Sequence, residues 1–183
     1  MALIAVLAVA FVLIVSAAIL YNGLVVKRNA ADNAFASVDA QLKRRFDLIP
    51  NLVESVKAYM GHEASTLTEI ARLRANAVGG AQKADVEAKL GGALRGIMVA
   101  VENYPQLKAS DNFMQLQRSL NEVEEQLVAS RRAFNASATE YNNAIGTFPY
   151  VLFAGAFGFI RRELIEASAE ERSNPNVGKL FKS

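Results

Sequence analysis

A chain of 183 residues, 52% hydrophobic and with a formal net charge of only +2, has the size of one globular domain with an appendage and is too apolar for disorder. It contains no Cys, which excludes disulfides, thiol catalysis, thiolate–zinc sites and iron–sulfur clusters together and leaves the redox compartment open. Its basic and acidic residues alternate along the chain, without the basic run and stacking aromatics that a nucleic-acid surface needs.

The first element is apolar from Ala2 to Leu20 except for Ser16, and Tyr21 follows. Nineteen residues at about 1.5 Å each nearly cover a hydrocarbon core of about 30 Å. A cleaved signal peptide is the rival reading, since Ser16 and Ala18 make a passable cleavage site. The n-region carries no Lys or Arg and the run is long for an h-region, which favours a retained transmembrane helix. The nearest basic residues, Lys27 and Arg28, follow the run. The positive-inside rule therefore predicts a single pass through the membrane, with the N-terminus outside and the body in the cytoplasm. No small-xxx-small pair in the run asks for tight helix dimerisation.

From Leu24 the apolar positions Leu24, Ala31, Phe35, Val38, Leu42 and Ile49 alternate spacings of three and four once Arg28 and Arg45 fill the gaps, which is the seam of a bundle or coiled-coil helix. No Pro interrupts residues 2–46, so the span is predicted to continue into this helix as a rigid stalk. Asp47 can cap a new helix and Pro50 is tolerated in a first turn, so 47–50 predicts a tight corner between two helices. A second helix would carry Leu52, Val56, Tyr59, Leu67, Ile70 and Ala77 past a possible kink at Gly61 and end at Gly79 and Gly80. A third is predicted over 84–102 (Val86, Leu90, Leu94, Ile97, Met98, Val101). There Gly91, Gly92 and Gly96 each cost up to about 1 kcal/mol relative to Ala, and close backbone approach to a neighbour would compensate. Residues 103–108 hold Pro105 and predict a turn, after which Ser110 or Asp111 caps a long fourth helix. Phe113, Leu116, Leu120, Val123, Leu127, Phe134, Tyr141 and Ile145 hold its seam, with Ser130 and Ser137 between, until Phe148 and Pro149 end it. ELIEASAEERS then suggests a short amphipathic helix, and NPNVGKLFKS a loose tail.

Four helices with short connections give an all-α chain, an antiparallel up-and-down bundle following the transmembrane helix. Counting directions, the fourth helix returns to the membrane and delivers the apolar run 148–160, FPYVLFAGAFGFI, to its surface. That run is too short to span. Phe148, Tyr150, Leu152, Phe153, Phe157 and Phe159 would contact lipid or a second subunit, and Arg161 and Arg162 would meet anionic headgroups. Closing the open end of the bundle core is the alternative use for the same residues.

YNGLVVKRNAADNAF (21–35), QLKRRFDLIPNLVESVKAYMGHE (41–63) and ENYPQLKASDNF (102–113) together make the chain resemble the LemA family of bacterial membrane-anchored helical proteins. The resemblance extends over most of the chain and implies an anchor over 1–23, a helical bundle over 24–147, and a membrane-proximal segment, short helix and tail over 148–183. Arg44, Arg45, Asp47, Asn51 and Glu54 match the family's most recognisable motif. The family carries no agreed biochemical activity.

No catalytic constellation accompanies these elements. His62 is the only His, with no HExxH and no Glu-x-x-His pair, so neither a metal nor another cofactor is expected. Nothing suggests a strained turn exposing a nucleophile, and the glycine pairs lack the strand and the Lys-Ser/Thr of a phosphate loop. Arg45 stands at a seam position, as do Glu63 and Arg74, and a charge facing a core needs a partner. Glu54, Glu124 and Glu125 are the candidates for Arg45, and a structural ion network (Arg44, Arg45, Asp47, Asn51, Glu54, Glu124) is favoured over a binding pocket. The chain is thus expected to be a non-enzymatic scaffold of the cell envelope, anchored in the lipid bilayer and self-associating into a homo-oligomer. The alternative is an adaptor or regulator of another membrane protein such as a protease. Ala154-xxx-Gly158 adds a weak small-residue signal for self-association.

Overall fold

The computed structural model describes residues 1–57, 59, 72 and 83–166. It is all-helical among those residues: α1 (Ala2–Lys57), α2 (Lys83–Val101), the single turn α3 (Pro105–Lys108), α4 (Asp111–Gly146) and the single turn α5 (Val151–Ala154). Most of the expected second helix, with Gly61, His62, Glu63, Arg74 and the Gly79-Gly80 terminus, lies outside the described residues, as does the chain beyond Glu166.

The predicted corner at 47–50 is absent. α1 runs helically through Pro50 to Lys57. A Pro there removes the amide that would bond to the Phe46 carbonyl and crowds that carbonyl, at about 3 kcal/mol. The apolar phase explains why the helix continues. Leu42, Arg45, Ile49, Leu52 and Val56 step by three and four without a reset, and all five are buried. Turning at Pro50 would break this seam. Ile49, Leu52 and Val56 at about 1.5–3 kcal/mol each outweigh the proline. Asp47 is consequently an exposed mid-helix residue and not a cap.

The chain forms two compact units, to both of which α1 and α4 contribute. In the first, built from Met1–Ala40 and Leu127–Ile165, the two helices run antiparallel. Lys27 pairs with Glu140, and Phe35 meets Phe134 edge-to-face at 5.3 Å. Its core joins Leu24 to Tyr141, Ile145, Ala154 and Phe159. In the second, Ile49, Leu52 and Val56 of α1 meet Leu90, Leu94, Ile97 and Val101 of α2, Leu107 of α3, and Phe113, Leu116 and Leu120 of α4. Pro105 occupies the first turn of α3, so the predicted turn at 103–108 contains one helical turn. The Ser110 hydroxyl then accepts the Phe113 amide at 3.4 Å and caps α4.

Two further expectations change. Residues 163–166 are not helical, and within them the Ile165 amide and carbonyl bond to the Asn135 side chain of α4, as set out below. The glycines of α2 do not mark a close approach among the described residues. A Cβ at Gly91 would meet the Arg45 guanidinium at an ordinary 3.6 Å, and one at Gly92 or Gly96 would meet nothing within 4 Å.

Candidate functional site

α1 passes from exposed to buried surroundings within about a turn and a half. Every residue from Met1 to Ile19 is exposed, whereas Leu24 is buried. Its N-terminal part has the length and hydropathy of a membrane span. Around the point of change the returning chain builds an aromatic collar. Tyr21 meets Phe157 at 5.4 Å and Phe159 at 5.6 Å, both edge-on. On its other side Phe159 carries the Arg28 guanidinium 5.4 Å above its ring. Gly23 makes room for Tyr150, whose hydroxyl would lie 3.1 Å from any Cβ at that position.

The run 148–160 divides by residue. Ala154 and Phe159 are buried in the core and Tyr150 and Phe153 are half-buried. By contrast Phe148 (79%), Leu152 (66%), Phe157 (58%) and Ile160 (73%) stay exposed. Gly158, at φ 72°, supplies the left-handed turn that sends Phe159 inward. Ala154-xxx-Gly158 is therefore not a helix-packing pair: Ala154 belongs to the chain's own core and Gly158 lies beyond α5.

The segment that follows is fixed by two asparagines of α4, which the sequence reading did not single out. Asn142 accepts the Arg162 amide at 2.8 Å and donates to the Arg162 carbonyl at 2.8 Å. Asn135 does the same for Ile165, at 2.9 and 2.8 Å. A side-chain amide offers one acceptor and one donor, as a backbone peptide does, so α4 presents two rungs to an extended chain. Arg162 also donates to Asp32 at 2.6 Å, while the Arg161 guanidinium lies over Gly146. Arg28, Asp32 and Arg162 surround Tyr141. Burial raises the Tyr141 hydroxyl above its ordinary value, and the two arginines oppose that rise more than Asp32 adds to it.

The residues of the matched motif lie in the second unit. Arg45 is 9% exposed, and its Nη2 stands 3.1 Å from Glu124 Oε2. Arg44, exposed, donates to Gln126 at 3.2 Å and stands 3.7 Å from Glu122, which also accepts from Gln126 at 3.0 Å. These contacts tie α1 to α4. Asn51 and Glu54 do not join them. They line, with Ser55, Asn112, Gln115 and Ser119, an open groove of about 390 Å³. That groove holds amides, hydroxyls and one carboxylate, with no nucleophile–base pair. Among the described residues no group of three or more acidic or imidazole side chains could hold a metal.

The pattern of the LemA family matches residues 34–178. Protein LemA of Metamycoplasma hominis is 25% identical, over 87% of this chain and 74% of its own length. Magnetosome protein MamQ of Magnetospirillum gryphiswaldense is 27% identical over 78% of this chain, which spans 63% of that relative. Magnetosome protein MamQ 2 of Paramagnetospirillum magneticum is 31% identical over 53% of this chain and 36% of its own length. Apolar entry helix, helical body and family match over most of its length agree: the chain belongs to the LemA family of membrane-associated helical proteins.

Proposed function

We propose that the protein is a non-enzymatic helical scaffold, anchored by α1 in the inner membrane with its body in the cytoplasm, and that it self-associates there. The observation that carries this reading is on α2. Gly92, Gly96 and Val99 follow one another at spacings of four and three, so they share a face. All three are exposed, and nothing among the described residues lies within 4 Å of where a Cβ would stand at either glycine. The two glycines weaken the helix, no contact among the described residues compensates them, and a second copy packing close to the backbone would. The relatives fit a positional role, since they are named for a cellular structure or for the family and not for a reaction.

The test is the mass of the detergent-solubilised full chain, alone and as Gly96→Leu. The proposal expects a discrete homo-oligomer that Gly96→Leu reduces to monomer with its helix content intact. A parent chain that is already monomeric would refute self-association and favour an adaptor of another membrane protein.

A further inference from the structure

We infer that the exposed face of Phe148, Val151, Leu152, Phe157 and Ile160 enters the same bilayer as Ala2–Leu20, as a shallow interfacial wedge clamped to the exit of the span. The inference rests on the membrane anchor of the reading above and not on self-association. Its first support is position. A bilayer that surrounds residues 2–20 ends within a turn of Tyr21, and Phe157 is in ring contact with Tyr21. Whatever lies against Tyr21 therefore lies at the boundary of the hydrocarbon, the level at which tyrosines and other aromatic side chains gather.

Polarity along the segment runs the same way. Phe157, in contact with Tyr21, is exposed, whereas the buried Phe159 is capped by Arg28, two helical turns further from the span. Arg161 follows Ile160 directly and is exposed beside the end of α4. Cations one to two turns from the hydrocarbon stand at headgroup depth.

Backbone chemistry then separates lipid from a protein neighbour. Amides that approach hydrocarbon must be satisfied from within, because lipid tails offer no acceptor. Those of Val151–Ala154 and of 157–159 all bond to carbonyls between Thr147 and Gly155. Over those residues the short non-spanning run thus presents apolar side chains on a backbone that closes its own hydrogen bonds. On the far side of Ile160 the two asparagine rungs hold the chain to α4, so the wedge is presented in a fixed place.

The chain has no Trp, so single-Trp reporters give signal without background. The full chain carrying Leu152→Trp, Phe157→Trp, Phe11→Trp in the span, or Gln106→Trp on α3 is reconstituted into vesicles of phosphatidylcholine and phosphatidylglycerol. Half the preparations carry brominated acyl chains, and helix content is checked by circular dichroism. The expected result is that Leu152→Trp and Phe157→Trp lose most of their emission to bromine, as Phe11→Trp does, while Gln106→Trp loses none. Where one wedge variant loses its helix content, Phe148→Trp replaces it. Leu152→Trp emission that ignores bromine overturns the inference, whether acrylamide quenches it (a face in water) or spares it (a face under a second copy). An unquenched Phe11→Trp overturns the inference together with the anchor. The mass measurement on α2 is unaffected by any of these outcomes.

Discussion

Arg45 is where charge and bulk can be separated. Its guanidinium is almost fully buried, while the partner Glu124 is about half exposed. The pair thus stands between a surface bridge, worth ~0–1 kcal/mol, and a buried one, whose breaking costs ~3–5 kcal/mol. We expect Glu124→Ala to destabilise the protein by about 1–3 kcal/mol. Arg45→Met, which keeps the stem and removes the charge, should be near neutral in thermal melting. An equal loss in both variants would mean that the ion pair itself carries the stability, and not the avoidance of an unpaired buried charge. The place of Arg45 in the apolar phase can be read from the sequence, but which carboxylate meets it cannot, because Glu54, Glu124 and Glu125 all satisfy the spacing. Tyr141 gives a test by pH. Its hydroxyl titrates higher in the folded chain than in the unfolded one, so the folded state holds its proton longer. The stability this contributes is complete below the unfolded value and is lost as pH rises through the folded one. As pH rises above the ordinary tyrosine value of 10.0 the parent should lose more stability than Tyr141→Phe. Parallel curves would remove Tyr141 from the alkaline transition.

At the scale of elements, the instructive case is the proline of α1. A capping Asp three residues before a Pro is a local signature of a helix start, and it competes with the unbroken phase from Leu42 to Val56. Local propensity favoured a corner; burial of the seam decided for a helix. Pro50→Ala restores the amide and removes the crowding, so it should stabilise the protein by about 1–3 kcal/mol. A loss of stability in thermal melting would show that the pyrrolidine ring is itself a packing element. α4 was legible throughout, because Phe113 to Ile145 keep one phase over the whole helix and the same residues form its buried face. The segment after Phe159 was not. Asn142 and Asn135 reach residues 20 and 30 positions away, and a side chain bonding to a distant backbone leaves no period to read. Asn142→Ala removes two hydrogen bonds in a partly solvated place, at roughly 1–2 kcal/mol. The clearer expected outcome is limited proteolysis between Arg161 and Glu166 in the variant and not in the parent. Equal resistance would mean that Phe159 and Asp32 suffice to hold the segment.

For the whole molecule, the composition and the entry helix made the membrane legible, while the side of the membrane rests on Lys27 and Arg28 alone. Protease added to intact spheroplasts should leave the body uncut, and digestion to a membrane stub would reverse the orientation. The two asparagine rungs carry a further consequence, because they make the segment from Arg162 to Ile165 a measured length. Seven residues of helix between Asn135 and Asn142 advance about 10.5 Å, and three extended residues from Arg162 to Ile165 advance about 10 Å. Two rulers with different divisions coincide at two marks, as on a vernier. Substitutions at 163 and 164 leave the marks aligned. Inserting one residue there carries the Ile165 amide about 3.3 Å past Asn135, so the second mark no longer meets its rung.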